Sequence, residues 1–115
     1  MRLSSSIMTM FTVIETPFFS KLWPDYWTET ERAAFAVFLA ENPNAGDVIT
    51  GSGGCRKVRW NLSGTGKSGG VRVIYFNRLA EGCVVLLVMY AKSAQDTLAA
   101  DVLRKISKEF GYATQ

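Results

Sequence analysis

Basic side chains are concentrated in one part of the chain, between Gly46 and Arg78. This stretch contains six lysine and arginine residues, and after Asp47 the next acidic residue is Glu81. A cationic surface without carboxylates of its own attracts polyanions. The pattern therefore predicts a nucleic-acid ligand, and it is carried by Arg56, Lys57, Arg59, Lys67, Arg72 and Arg78.

The spacing of these cations predicts that several share one face of a β-sheet. Lys57 and Arg59 are two residues apart on a predicted strand, so both project from the same face. Arg72, on the next predicted strand, is expected to lie beside them. A solvated polar face is the alternative, but such a face normally mixes charges of both signs.

Three further residues are expected to contact RNA from the same region: Arg56, Lys67 and Tyr90. Lys67 lies in a glycine-rich turn, 63–70, which is expected to expose it at the tip of a hairpin between two predicted strands. Tyr90 ends an apolar strand beside Lys92 and is placed to stack on a base. A buried ring with a satisfied hydroxyl is an equally good reading of Tyr90.

Several other kinds of site are disfavoured by the sequence. Gly66-Lys67-Ser68 resembles the end of a phosphate-binding P-loop, but Asn61 stands where a glycine is required, and a strand follows where a helix should. The chain has two cysteines and no histidine, which argues against zinc and removes the usual general base. We expect no metal and no cofactor, and free thiols in a reducing cytoplasm.

The order of elements predicts an α+β fold. A strand at 11–15 precedes a short helix from Pro17 and a helix that begins at the capping box of Thr28. Strands at 55–62, 71–77 and 83–91 follow, and a final helix spans 93–111. We predict a small antiparallel sheet with the N-terminal helices packed on it and a C-terminal helix.

One domain is expected, over residues 11–115, after an N-terminal extension, 1–10, that is poorly ordered. The apolar run at 84–89 has only six residues, whereas a bilayer span needs about 20. No membrane association is expected.

Two joined motifs make the chain similar to a known family. Residues 46–60, with Gly53-Gly54-Cys55-Arg56-Lys57-Val58-Arg59-Trp60, and residues 66–75, with Gly69-Gly70-Val71-Arg72-Val73-Ile74-Tyr75, resemble the HigB-like branch of the RelE/ParE toxin superfamily. The stretch Tyr90-Ala91-Lys92-Ser93 fits the same pattern, although Phe76 stands where a second tyrosine is frequent.

This resemblance implies a bacterial toxin of a type II toxin–antitoxin system. Such a toxin is a metal-independent, ribosome-dependent endoribonuclease (an mRNA interferase) that cuts mRNA in the ribosomal A site and so blocks translation. The expected products are a 2′,3′-cyclic phosphate and a 5′-hydroxyl. The expected partner is a cognate antitoxin with a helix-turn-helix DNA-binding domain, through which alone the toxin would reach operator DNA. The expected location is the cytoplasm.

The resemblance also implies roles for four residues. Lys57 and Arg59 match two basic positions on one strand, and Arg72 matches an arginine that holds the scissile phosphate. Lys92 lies beside the position of an arginine that acts on the leaving group, where this chain has Ser93. Because a tyrosine used as base is also replaced, by Ala99 or a neighbour, the general acid and the general base stay unassigned.

Two other functions remain open at this point. A ParE-like toxin would inhibit a topoisomerase and would need no cluster of phosphate-binding residues. A non-catalytic RNA-binding domain would use the same cations without causing growth arrest. Growth arrest on expression, reversed by the product of the neighbouring reading frame, would distinguish a toxin from an RNA-binding domain.

Overall fold

The computed structural model describes residues 10–60 and 70–91, which form a five-stranded sheet and two α-helices. The strands are arranged in the order β1-β5-β4-β3-β2. The elements in chain order are β1 (Thr12–Glu15), α1 (Pro17–Leu22), a 3-10 turn (Trp23–Asp25), α2 (Glu29–Glu41), β2 (Asp47–Val48), β3 (Arg56–Trp60), β4 (Val71–Arg78), a second 3-10 turn (Leu79–Glu81) and β5 (Cys83–Ala91).

The predicted α+β class is confirmed, but the sheet is mixed rather than wholly antiparallel. Strands β2 to β5 pair antiparallel, whereas β1 pairs parallel with β5. Tight turns impose antiparallel pairing only on strands that are neighbours in the chain. β1 and β5 are separated by every other described element, so no turn fixes their relative direction. The two-residue strand β2 was not predicted.

Both helices begin at threonine caps, as the sequence predicts. The Thr16 hydroxyl accepts a hydrogen bond from the Phe19 N–H (3.2 Å) and donates one to the Leu87 carbonyl (3.1 Å), which ties α1 to β5. Thr28 and Glu31 form the predicted capping box at the start of α2. Loss of one such cap typically costs about 1 kcal/mol.

The two faces of the sheet have different partners. One face packs against the helices through Phe19, Trp27 and Phe35, which contact a layer that includes Val58 and Val73. The opposite face carries a second buried cluster, composed of Cys55, Ile74, Phe76, Val85 and Leu87. Strands β4 and β5 are thus buried on both sides, and for β5 this is what its apolar sequence, 83–91, predicts.

Some expectations fall outside the described residues: the N-terminal extension at 1–9, the glycine-rich turn at 61–69 and the final helix. Within the described part, neither Cys55 nor Cys83 forms a disulfide bond. None of the helices placed there is long and apolar enough to cross a bilayer.

The loop of residues 42–46, called here the connector loop, is fixed to the sheet by three polar side chains. The Tyr75 hydroxyl accepts from the Gly46 N–H (2.9 Å) and donates to the Pro43 carbonyl (2.8 Å). The amide of Asn77 donates to the same Pro43 carbonyl (3.0 Å), and Arg56 donates to the Gly46 carbonyl (2.6 Å). These bonds hold the backbone that enters β2.

Gly46 is required at the end of this loop because no side chain fits there. A Cβ atom on Gly46 would lie 2.8 Å from the Lys57 carbonyl oxygen and 3.1 Å from the Tyr75 ring. The close approach places β2 directly against β3 at Lys57.

Burial is the main reason that the pKa of Tyr75 lies above its ordinary value of 10.0. The hydrogen bond from Gly46 and the charge of Arg56 oppose this rise, and the Asp47 carboxylate adds to it. The Tyr75 hydroxyl is therefore protonated at physiological pH and can donate its hydrogen bond to the connector loop.

Gly46→Ala is expected to destabilise the protein by about 1–3 kcal/mol, because the new methyl group would force backbone apart at Lys57. The free energy of unfolding from urea denaturation measures this. Ala45→Ser, which adds one atom at the exposed neighbouring position, should have little effect. Equal stability of the two variants would contradict the close-packing argument.

Tyr75→Phe is expected to cost about 1–3 kcal/mol at pH 7, because the buried Gly46 N–H loses its acceptor. The cost should shrink above pH 10. There the tyrosine releases its proton in the unfolded state but keeps it in the folded state. The free energy of unfolding of the wild type therefore falls as pH rises towards the folded pKa, and that of the phenylalanine variant does not fall for this reason. Urea denaturation of both proteins between pH 7 and pH 11 measures the difference; a constant difference would contradict the shift.

Candidate nucleic-acid interface

Three basic residues lie on the sheet face opposite α1 and α2. Arg59 on β3 lies directly across from Arg72 on β4, and Lys57 precedes Arg59 by two residues on the same face. We call Lys57, Arg59 and Arg72 the cationic cluster. Directly opposed side chains in antiparallel strands have Cβ atoms about 4.5–5.5 Å apart. The two arginines therefore start close enough together for one phosphate group to contact both guanidinium groups.

Strand alternation fixes the direction of these side chains. Val58 is buried against the helices, and Trp60 packs on the same side, with its ring edge-on to Phe35 at 5.2 Å between centroids. Lys57 and Arg59 must then point the other way. Arg59 is exposed, and Lys57 is half-buried.

Tyr90, on β5, lies next to Arg72 on the same face of the sheet. It pairs with Arg72 across β4 and β5 and packs at the margin of the second buried cluster. The order across the sheet is therefore Arg59, Arg72, Tyr90, with the aromatic residue next to Arg72. This is the order in which a phosphate and an adjacent base would meet the face.

Opposed like charges are unfavourable in a sheet, and Arg59 lies directly across from Arg72. Guanidinium groups form paired, charge-assisted hydrogen bonds with phosphate oxygens. An anion bound between the two arginines would replace mutual repulsion with attraction. The register is therefore suited to an anionic ligand.

Ion pairs are found elsewhere in the described part of the chain. Arg32 pairs with Glu15 (3.1 Å) and with Glu29, and Arg78 pairs with Glu81. Over residues 10–60 and 70–91, no carboxylate forms an ion pair with Lys57 or Arg59. Arg78, which belongs to the same basic stretch, lies at the far end of β4 from Arg72 and pairs with Glu81.

Arg56 lies on the opposite face of β3 from the cationic cluster, and its expected contact with RNA stays a prediction. Its register partners are Val48 and Tyr75, so it points to the side opposite Lys57. Its guanidinium donates to the carbonyls of Gly46 (2.6 Å) and Asn44 (3.4 Å). The residue fixes the connector loop, and alternation along β3 prevents it from joining Lys57 and Arg59.

Two expected site residues, Lys67 and Lys92, lie outside the described residues, and their roles stay predictions. The structure also brings forward one residue that the sequence did not single out. Asp47 lies directly across from Lys57 on β2 and is exposed. Asp47 belongs to the motif at 46–60, but the sequence does not show that it faces Lys57, because that position depends on the pairing of a two-residue strand.

In the parts of the chain that are described, no group of three histidine, cysteine or acidic side chains is close enough to hold a metal ion. The functional groups that the described residues place on this face are two guanidinium groups, an ammonium group, a phenol and one carboxylate.

Comparison with known proteins identifies the fold. No protein-family model matches the chain. Among solved structures, it is similar to a doubly substituted variant of the toxin RelE from E. coli in the free state, with a TM-score of 0.53 and 16% sequence identity. The match covers 90% of this chain and 94% of that one. At this identity the likeness establishes a shared fold, and the chain has a RelE-like α+β fold.

Proposed function

We propose that the protein is the toxin of a type II toxin–antitoxin system, of the HigB-like branch, and that it cleaves mRNA on the ribosome without a metal ion. The observation that carries the proposal is the register that sets Arg59 against Arg72, with Lys57 on the same face and Tyr90 next in the row. The RelE-like fold and the sequence motifs described above support the same assignment.

The proposed reaction begins with attack of the RNA 2′-oxygen on the adjacent phosphorus. The bond to the 5′-oxygen breaks, which leaves a 2′,3′-cyclic phosphate and a 5′-hydroxyl. Negative charge accumulates on the non-bridging oxygens in the transition state. Arg72, assisted by Arg59, is proposed to receive that charge through paired hydrogen bonds, since fixed donors aimed at developing charge stabilise it strongly.

Lys57 and Lys92 are the two lysines that we propose act in the cleavage reaction. An ammonium group can hold a phosphate oxygen or give a proton to the leaving oxygen. The ribosome is proposed to present the RNA in the reactive geometry. Positioning of this kind can supply a large part of a rate enhancement, so the cluster alone need not act on free RNA.

The proposed partner is a cognate antitoxin with a helix-turn-helix domain that represses the shared operon. Among the described residues, no carboxylate forms an ion pair with Lys57 or Arg59. An acidic or amphipathic antitoxin segment would therefore find charge complementarity at the cationic cluster. Such a segment would cover the cluster and exclude mRNA. In this proposal the protein acts in the cytoplasm, where the ribosomes are.

Inhibition of a topoisomerase is the second candidate, as for ParE-like toxins. It is less well supported, because it gives no reason for two arginines to be opposed on one sheet face. A non-catalytic RNA-binding domain would explain the arginines, but it would bind RNA without producing new 5′-hydroxyl ends.

Alanine substitution of Arg72, Lys57 or Lys92 is expected to lower mRNA cleavage on programmed ribosomes, by about 10²–10³-fold for Arg72→Ala. Primer extension across the A-site codon measures the cleavage. Lys21→Ala, at an exposed position on α1, is the matched control and should cleave like the wild type. Unchanged cleavage in all three site variants would exclude the proposed chemistry.

Expression of the wild-type protein is expected to arrest growth, and co-expression of the neighbouring reading frame should restore it. Pulse labelling separates the two toxin classes, since a ribosome-dependent nuclease stops protein synthesis before DNA synthesis. A purified protein that inhibits DNA supercoiling and leaves mRNA intact would favour the topoisomerase function instead.

A further inference from the structure

Asp47 places a carboxylate beside the cationic cluster. It lies directly opposite Lys57 in the β2–β3 register, so its side chain projects from the same face as Lys57 and Arg59. Both Asp47 and Val48 are exposed, at the edge of the sheet. Among the described residues on this face of β2, β3 and β4, Asp47 is the acidic one.

The backbone that carries this carboxylate is held firmly although the side chain is exposed. Gly46, the residue before Asp47, donates to the Tyr75 hydroxyl at 2.9 Å and accepts from Arg56 at 2.6 Å. Gly46 also approaches Lys57 so closely that no Cβ atom fits between them. A carboxylate needed in a fixed place relative to Lys57 would require such support.

A carboxylate on a face that binds a polyanion weakens binding unless it has another role. An ordinary cross-strand ion pair with Lys57 is one such role. No such ion pair is formed within the described ranges, where the ion pairs involve Arg32 and Arg78 and not Asp47. The Asp47 carboxylate is instead available to accept a proton.

We infer that Asp47 is the general base of the cleavage reaction, an inference that rests on the proposed nuclease function. A carboxylate oxygen of Asp47 takes the proton of the RNA 2′-hydroxyl while the 2′-oxygen forms its bond to phosphorus. The bond from phosphorus to the 5′-oxygen breaks, and that oxygen takes a proton from water. The hydroxide left behind removes the proton from Asp47 and restores the carboxylate.

This assignment gives the members of the face different tasks. Arg59 and Arg72 receive the charge on the phosphate, and Lys57 lies between them and the base. Arg56 and Tyr75, on the other face, hold the loop that carries the base. A histidine, which the chain lacks, is not needed.

Asp47→Asn provides the test, because it keeps the size of the side chain and removes the proton acceptor. Single-turnover cleavage of mRNA on programmed ribosomes is expected to fall by about 10²–10⁴-fold. The concentration of toxin giving half-maximal rate should stay the same or fall, since a negative charge has been removed from an RNA-binding face. Asp47→Glu, which keeps a carboxylate, should recover part of the rate.

Glu41→Gln is the matched control, because it removes an exposed carboxylate at the end of α2 and should cleave like the wild type. Equal rates for Asp47→Asn and the wild type would overturn the role of Asp47 and leave the nuclease function intact. A faster Asp47→Asn would show that the carboxylate only repels RNA, which also overturns it. A wild-type protein that does not cleave mRNA would overturn both proposals.

Discussion

The pairing of β3 with β4 is the constraint on which the candidate site depends. Its register opposes Arg59 and Arg72 and leaves Val58 and Val73 on the helix side of the sheet. A shift of one residue would move every side chain of β3 to the other face and bury the arginines among the aromatic rings. The buried valines and the core aromatics that they contact therefore fix the position of the cations, although none of them carries charge.

A second constraint acts at the edge of the sheet, where the connector loop is fastened by Tyr75, Arg56 and Asn77. These side chains satisfy backbone groups of the loop that would otherwise be unpaired next to a buried ring. The polar network thereby converts a short loop into a rigid support for β2. Residues that stabilise this support and residues that face the ligand alternate along the same strand, as Arg56 and Lys57 do.

The cations of the basic stretch have separate roles that are visible only in three dimensions. Arg56 binds backbone carbonyls, and Arg78 pairs with an acid three residues away. Lys57, Arg59 and Arg72 are gathered on one face. Three of the five cations of this stretch that the structure describes therefore share one face of the sheet, where their fields add.

The sequence by itself determined the α+β class, the helix caps at Thr16 and Thr28, the doubly buried strand β5 and the shared face of Lys57 and Arg59. Each of these follows from local spacing or from a cap within a few residues. Only the tertiary structure decided that β1 runs parallel to β5, that Arg56 is a loop clamp and that Asp47 lies opposite Lys57. These features depend on contacts between distant segments and on the register of a two-residue strand, which no local periodicity encodes.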